Sequence, residues 1–179
     1  MFGLWLSYLR MILLLIHLIN YTEAKRRLRW DCFDCQMGPQ FADPEFKCNV
    51  GGSRSSLLNV ELNLLKELDA IKVYVKISTR FKPTITYRKF FDITFNGCRA
   101  ITDMVQGTMV SNMFNAIVKS SNQPRKCPIK KGVIYYHNIS IEDALPTFVP
   151  STQLFVQADF YSRRKLYLNV SLVGEITDK

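Results

Sequence analysis

Apolar and polar residues alternate along two stretches in the first half of the chain. Asn59–Leu65 and Ala70–Ile77 both carry apolar residues at every second position. This period is typical of strands in an antiparallel sheet that has one buried face and one solvated face. The helix formers at Leu64–Lys66 leave a helix open as an alternative there. The flanking alternation favours strands.

Four further stretches extend the same pattern. Thr84–Phe95 alternates but changes phase at Phe90-Phe91, which indicates a bulge. The other three predicted strands lie near the C-terminus, at Gly132–Ile139, Gln153–Phe160 and Lys165–Val173. Six strands joined by short turns predict a mainly β protein with an antiparallel, immunoglobulin-like β-sandwich.

The period changes to three and four residues between the third and fourth strands. This spacing predicts one helix from about Ala100 to Lys119, inserted into the sandwich, with a single apolar face. Its apolar residues are Ile101, Met104, Val105, Met109, Met113, Phe114, Ile117 and Val118. Methionine side chains suit an adaptable apolar surface, although a stripe of this kind also occurs in an ordinary packed core.

The beginning of the chain has the features of an export signal. Arg10 precedes the apolar run Met11–Ile19, and the small residue Ala24 ends a plausible cleavage site. We therefore expect residues 1–24 to be a cleaved signal peptide and residues 25–179 to be one secreted domain. The mature chain would then have no membrane span.

Two observations bear on that expectation. A signal anchor over Phe2–Ile19 is the alternative, but it would place Arg10 in the bilayer, which is costly. The basic residues of Lys25–Arg29 oppose export of that flank. The basic stretch also leaves a later cleavage point open.

Residues 25–52 contain three cysteines, two prolines and three glycines, and we expect an irregular, loop-rich arm there.

Charge and motifs exclude several function classes. The formal net charge is +9, but the basic residues are scattered and form no nucleic-acid-reading motif. A hydrolase triad needs a base near a nucleophile, and the mature chain has only His137. Adjacent carboxylates at Glu142 and Asp143 would point to opposite faces of a strand. We expect no enzyme activity, no catalytic residues and no cofactor.

All five cysteines follow the predicted signal peptide, which suits an oxidising compartment. Cys32 and Cys35 form a C-x-x-C, but no second such pair follows, so we expect disulfide chemistry and no metal site. Because five is odd, one cysteine stays free or pairs between chains. Two sequons, at Asn138 and Asn169, are candidate glycosylation sites of a secreted protein.

A family pattern runs from Phe46 to Ile176. It combines Phe46-Lys-Cys48, the segment Phe91-Asp-Ile-Thr-Phe-Asn-Gly-Cys98, a helix, Ser121-Asn122, Cys127-Pro-Ile129, Gly132-Val-Ile-Tyr-Tyr136, Leu145-Pro146 and a final amphipathic strand. This order resembles a large insect family of secreted proteins of largely unassigned function, which includes the Che-type proteins linked to gustatory detection of pheromones. That family is in turn similar to the ML lipid-recognition superfamily, which includes the ganglioside-activator protein.

The resemblance implies a β-sandwich or cup with an apolar cavity between its sheets. It implies a disulfide between Cys98 and Cys127, and another between Cys48 and an upstream cysteine. Cys32 and Cys35 are both open as that partner, with Cys35 favoured because it closes the shorter loop. The implied function is binding or transfer of a lipid or a lipid-like semiochemical.

We expect the helix stripe to close one mouth of such a cavity. The expected lining is Phe91, Ile93, Phe95, Met104, Met109, Met113, Phe114, Ile117, Phe155, Phe160 and Leu168. The alternative function is an extracellular protein-interaction module that acts on a receptor without a small ligand. A carrier predicts a sizeable cavity, whereas an interaction module predicts a packed interior and an exposed apolar patch.

Overall fold

The computed structural model describes residues 26–41, 45–103, 109–123, 125–145 and 149–178, without the side chains of residues 103, 109 and 110. The predicted signal peptide at residues 1–24 lies outside these ranges. The described residues form two antiparallel β-sheets and two α-helices, which confirms the predicted mainly β sandwich with a helical insertion.

Eight strands make up the two sheets of the described chain. They are β1 (Arg26–Met37), β2 (Lys47–Gly51), β3 (Leu57–Leu64), β4 (Ile71–Arg80), β5 (Arg88–Asn96), β6 (Gly132–Ile139), β7 (Thr152–Ser162) and β8 (Lys165–Asp178). One sheet has the order β1-β8-β7-β4-β5, and the other has the order β2-β3-β6.

The first two strands correct the expectation of an irregular arm over residues 25–52. Leu28 and Trp30 are buried and alternate with the exposed Arg27 and Arg29. This alternation pairs β1 with β8 along the edge of the larger sheet. The prediction was wrong because Leu28 and Trp30 alternate with polar residues, and a period of two is a strand signal.

The bulge expected in the third predicted strand is confirmed. Ile77 pairs with Phe91 and Ser78 pairs with Lys89, so Phe90 is an extra residue in β5. A bulge of this kind lets a strand change phase within one ladder. Phe91 is consequently half-buried, whereas Phe90 is 55 % exposed.

The helical insertion connects β5 to β6. Its described parts are α1 (Gly97–Asp103) and α2 (Met109–Lys119), so the helical region begins three residues before the predicted Ala100. A side chain at Gly97 would come within 2.9 Å of Ile71. The glycine therefore lets α1 begin directly against β4. Further along, α2 contacts β6 and a short 3-10 turn at Glu142–Ala144.

Side chains from both sheets pack into two buried clusters. The first core cluster is Phe41, Leu62, Leu64, Leu68, Ile71, Val73, Ile134 and Tyr167. The second core cluster is Leu28, Trp30, Leu58, Ile139, Val149, Leu154, Leu172 and Ile176. Each cluster lies towards one end of the strands. β3 contributes Leu62 and Leu64 to the first cluster and Leu58, near its other end, to the second. β8 likewise contributes Tyr167 to the first cluster and Leu172 and Ile176 to the second.

Both disulfides that the sequence favoured are present. Cys35 is bonded to Cys48, with 6.2 Å between their Cα atoms, and Cys98 is bonded to Cys127, with 5.5 Å. The first bond ties the edge strand β1 of the larger sheet to β2 of the smaller one. Cys32 is the free cysteine of the described chain, and it is exposed.

Candidate functional site: the interior between the sheets

The interior is not uniformly packed between the two core clusters. Register places one residue from each strand of the larger sheet in a line across its inner face. We call this line the middle row, and its members are Ile93, Val75, Ala158, Val170 and Cys35. All five are only half-buried.

The middle row faces inward because its neighbours along β4 do. Val73, two residues before Val75, belongs to the first core cluster, and Ile77, two residues after it, packs against the second. Side chains two positions apart share a face of a strand. Inner-face residues of a sandwich normally interdigitate with the opposite sheet at crystal-like density. Val75 packs against the first core cluster and Val170 against the second, yet part of each side chain in this line stays accessible.

The opposite sheet also contributes half-buried side chains at its centre. Val60 on β3 pairs with Tyr136 on β6, and both are half-buried, whereas Leu58 and Leu62 on either side of Val60 are buried. Tyr136 packs against both core clusters. Half-buried side chains consequently lie between the two clusters on both sheets.

An aromatic wall lies at the first core cluster. The Tyr167 ring is 7 % exposed and lies 5.8 Å from the ring of Phe41 and 6.0 Å from that of Phe160. Phe160 pairs with Leu168 while Tyr161 pairs with Leu166. Tyr167 is therefore an extra residue in β8, and this bulge lets it join the core beside Leu168.

Two tyrosines lie in the interior. The Tyr136 hydroxyl bonds to Ser121. Burial raises the pKa of both, and the nearby Tyr136 raises that of Tyr167 further. Both effects follow from a low-dielectric interior that disfavours charge.

Most of the expected lining on the strands lies on the inner face. Phe91, Ile93 and Phe95 are half-buried on one side of β5. Phe160 and Leu168 pack against the first core cluster. The prediction for Phe155 was wrong, because it pairs with Ser78 and Val173 on the outer face, where its ring lies 6.0 Å from that of Tyr87.

The expected lining on the helix is less fully described. Met104 lies outside the described residues, as does the side chain of Met109. Met113 and Phe114 are half-buried on α2, and Ile117 packs against the second core cluster. Closure of a cavity mouth by this helix stays a prediction.

Several interior residues were missed from the sequence alone. Val75, Ala158, Val170 and Tyr167 contribute to the middle row or to the aromatic wall. The alternation of β7 contained a usable signal, because Ala158 is two residues before Phe160 and shares its face. Which residues share a row across strands depends on register, which no single strand specifies.

The two candidate glycosylation sites differ in their surroundings. Asn138 is exposed, and its φ of 55° lies in the left-handed region that asparagine tolerates. Asn169 lies on the outer face of β8, where its side-chain amide donates a hydrogen bond to Asp159. A glycan at Asn169 would have to disrupt that bond. Glycosylation at either site stays a prediction.

A separate open groove of about 570 Å³ lies on the outer face of the larger sheet. Lys72, Tyr74 and Tyr161 line it, together with Arg163 and Arg164 of the β7–β8 turn. Both arginines have positive φ angles, 48° and 68°. Hydrogen bonds from Arg163 to the exposed Asp69 lower the pKa of that carboxyl.

The described residues contain no group of three or more His, Cys, Asp and Glu side chains arranged to hold a metal ion. No helix among them has the length and apolarity that a membrane crossing requires.

Part of the chain matches a protein family. Residues 73–156 match the family described as "Protein of unknown function (DUF1091)". The DUF1091 match begins within β4 and ends within β7, so it includes α1, α2 and the Cys98–Cys127 disulfide. No curated protein matches the chain. The finer resemblance to Che-type proteins and to the ganglioside activator stays a prediction.

Proposed function

We propose that this protein is a secreted carrier that holds a lipid or another small apolar molecule between its two sheets. The carrier does not change its ligand chemically and needs no cofactor. The family resemblance adds detection of a pheromone or taste compound as the physiological setting of this proposal.

The middle row is the observation that carries the proposal. Five apolar or sulfur-containing residues, one from each strand of the larger sheet, face the interior and keep part of their surface accessible. Apolar surface that stays accessible to water loses about 25 cal/mol of stabilising free energy for each Å² that burial would have removed from water. An apolar ligand would recover that free energy by covering the row, and this gives the binding its driving force.

Two features support secretion as part of the proposal. Two disulfides are present, and disulfides form and persist in oxidising compartments. Asn138, in its sequon, is exposed and accessible to a glycosyltransferase.

Native mass spectrometry of the protein, recovered from the medium of a secreting host cell, tests the carrier function. We expect protein ions that carry an extra apolar mass. Ala158→Phe would fill the space at the middle row and should abolish the extra mass. Gln157→Phe is the matched control, because it makes the same aromatic addition on the outer face one residue earlier.

The outcome of that experiment is decisive in both directions. Loss of the extra mass in Ala158→Phe, with retention in Gln157→Phe, supports a ligand between the sheets. Bare protein ions from the wild type, together with no uptake of an added apolar probe, would contradict the proposal.

One observation favours the alternative of an extracellular interaction module. The loop between β4 and β5 exposes apolar side chains, with Ile85 85 % exposed and Phe81 46 % exposed. Exposed apolar patches often mark docking sites for proteins. If the wild type binds no apolar ligand, Ile85→Ser should weaken capture of a receptor partner from extracellular extracts.

A further inference from the structure

The open groove on the outer face of the larger sheet has a basic lining, and we call it the outer groove. Its charged residues are Lys72 on β4 and the pair Arg163 and Arg164 in the β7–β8 turn, and no aspartate or glutamate of the described chain lines it. These three side chains are exposed. The outer groove therefore has a local excess of positive charge, which attracts anions.

Two of the three cations have no anionic partner among the residues that the structure describes. Arg163 is paired with Asp69, whereas Lys72 and Arg164 form no ion pair with any of those residues. The carboxylate of Asp159 on β7 is 8 % exposed and accepts hydrogen bonds from side-chain amides of β7 and β8. Its charge is thus already engaged, and the outer groove keeps two cations for a ligand.

The β7–β8 turn presents its two arginines on a strained backbone. Ser162 pairs with Lys165, so Arg163 and Arg164 form a two-residue turn, with φ angles of 48° and 68°. Positive φ at both positions is the type I′ pattern, for which Asn-Gly is the favoured sequence because a larger side chain crowds this region. Strained residues of this kind cluster at functional sites. Both arginines line the outer groove, which points to a binding role for them.

The rest of the lining suits a sugar ring. Tyr74 and Tyr161 are half-buried, and Thr94 and Asn96 are exposed on the neighbouring strand β5. Register places Lys72 between Asn96 and Tyr161. An aromatic ring offers a flat apolar face to the C–H groups of a sugar, while hydroxyl and amide side chains hydrogen-bond its hydroxyl groups. The outer groove crosses β5, β4 and β7, which is about 10 Å, and it is open to solvent for a longer chain to continue.

We propose that the outer groove binds a sulfated polysaccharide. Its sulfate groups pair with Lys72 and Arg164 through charge-assisted hydrogen bonds, and its sugar rings lie against Tyr74 and Tyr161. The site lies on the outer face, so the proposal is independent of the carrier function.

Two other polyanions fit the outer groove less well. A flat bilayer would reach the rim of a concave groove and would not reach the half-buried tyrosines on its floor. The two disulfides favour an oxidising compartment. In extracellular spaces of that kind, sulfated polysaccharides are more abundant than nucleic acids.

Isothermal titration calorimetry with a heparin oligosaccharide tests the proposal. Lys72→Ser with Arg164→Ser should weaken binding at least about tenfold, because it removes two charge-assisted contacts. Lys47→Ser with Arg54→Ser is the matched control, since it removes the same charge from exposed residues of β2 and the β2–β3 turn. The control should change the affinity by less than about twofold, because charges far from the ligand are screened.

Arg163→Asn with Arg164→Gly separates binding from folding. It gives the turn its favoured sequence and leaves Lys72 and both groove tyrosines in place. The midpoint of urea unfolding should rise because the strain is relieved, and loss of the exposed Arg163–Asp69 pair subtracts little. Binding of the heparin oligosaccharide should nevertheless fall at least about tenfold. A more stable variant that binds less tightly cannot have lost binding through misfolding.

Three comparison ligands test what the outer groove recognises: desulfated heparin, a single-stranded DNA and phosphatidylserine vesicles. We expect each of them to bind more weakly than heparin. Equal binding of heparin and its desulfated form, or tighter binding of the DNA or the vesicles, would overturn the polysaccharide assignment. Equal losses in the groove variant and in the matched control would overturn the site itself, because binding would then follow net charge alone.

Discussion

The two ends of the sandwich interior and its middle contain similar apolar side chains, but these side chains are buried to different extents. Leu64 and Ile176, one in each core cluster, are 2 % and 1 % exposed. Val75, Ala158 and Val170 face the same interior between those clusters and are half-buried. All of them are apolar, so hydrophobicity does not separate them. The difference lies in how completely neighbouring side chains cover them.

The two regions therefore contribute differently to the stability of the fold. The clusters supply most of the stability, because buried apolar area at close packing contributes most to folding. Under the proposed carrier function, the middle row gives up part of that stability and keeps space for a ligand. Residues at the ends and in the middle should therefore respond differently to the same kind of substitution.

The largest expected effect is on the free energy of unfolding, from a substitution in the first core cluster. Leu64→Ala should lower the free energy of unfolding by about 4 kcal/mol, because the cavity in a packed cluster cannot collapse. Leu65→Ala is the matched control, since Leu65 is 47 % exposed, and it should change that free energy by no more than about 0.5 kcal/mol. Urea unfolding of the three proteins measures this. Equal effects at the two leucines would show that the first core cluster is not closed.

The disulfide at the edge of the middle row comes next. Cys35→Ser with Cys48→Ser should lower the free energy of unfolding by about 3 kcal/mol, from the loop-closure entropy of a bond that spans 13 residues. It should also speed ligand loss, because the bond joins the two sheets at Cys35. Cys32→Ser is the control and should change neither quantity, since Cys32 is free and exposed.

A smaller effect is expected from alkaline pH. Burial, and then the nearby Tyr136, raise the pKa of Tyr167 above the ordinary value of 10.0. The stabilisation from this difference is complete below about pH 10, where both states are neutral. It is lost as the pH rises towards the folded-state pKa, because the unfolded state ionises first.

Urea unfolding at several pH values measures that effect. The wild type should lose stability above about pH 10 more steeply than Tyr167→Phe does. Tyr135→Phe, with its exposed ring, should follow the wild type. Identical slopes for the wild type and Tyr167→Phe would place the Tyr167 hydroxyl in contact with water and not within the interior.

The smallest effect is expected in the middle row. Ala158→Val adds two methyl groups and should change the free energy of unfolding by less than about 0.5 kcal/mol, whereas overpacking of a closed core costs about 1–3 kcal/mol. Gly174→Ala is the contrast on the same inner face, because its new side chain would come within 2.5 Å of the Arg29 carbonyl oxygen. A large loss in Ala158→Val would mean that the middle row is packed.

Local patterns predicted the strands better than the interior. Six strands followed from alternation, and the Phe90 bulge from its phase change. The missed strand β1 had the same alternation at Leu28 and Trp30. Phe155 and Phe160 were both expected inside, although an odd separation places two residues on opposite faces of a regular strand.

The site could not be predicted in the same way. The middle row exists only when five strands are in register, and its half-burial depends on which residues of the smaller sheet lie across from it. Tyr167 reaches the interior through a bulge, against the simple alternation of Leu166–Leu168. Cysteine pairing was predictable because the resemblance supplied it and loop length ranked the alternatives.

Methyl-resolved NMR under xenon pressure tests the central claim most directly. Xenon enters apolar space large enough to hold it and does not enter closely packed cores. An accessible interior predicts large xenon-dependent shifts for the methyl groups of Val75, Ala158 and Val170, and small ones for Leu64 and Ile176. Shifts confined to the two core clusters, or absent throughout the interior, would contradict an accessible space between the sheets.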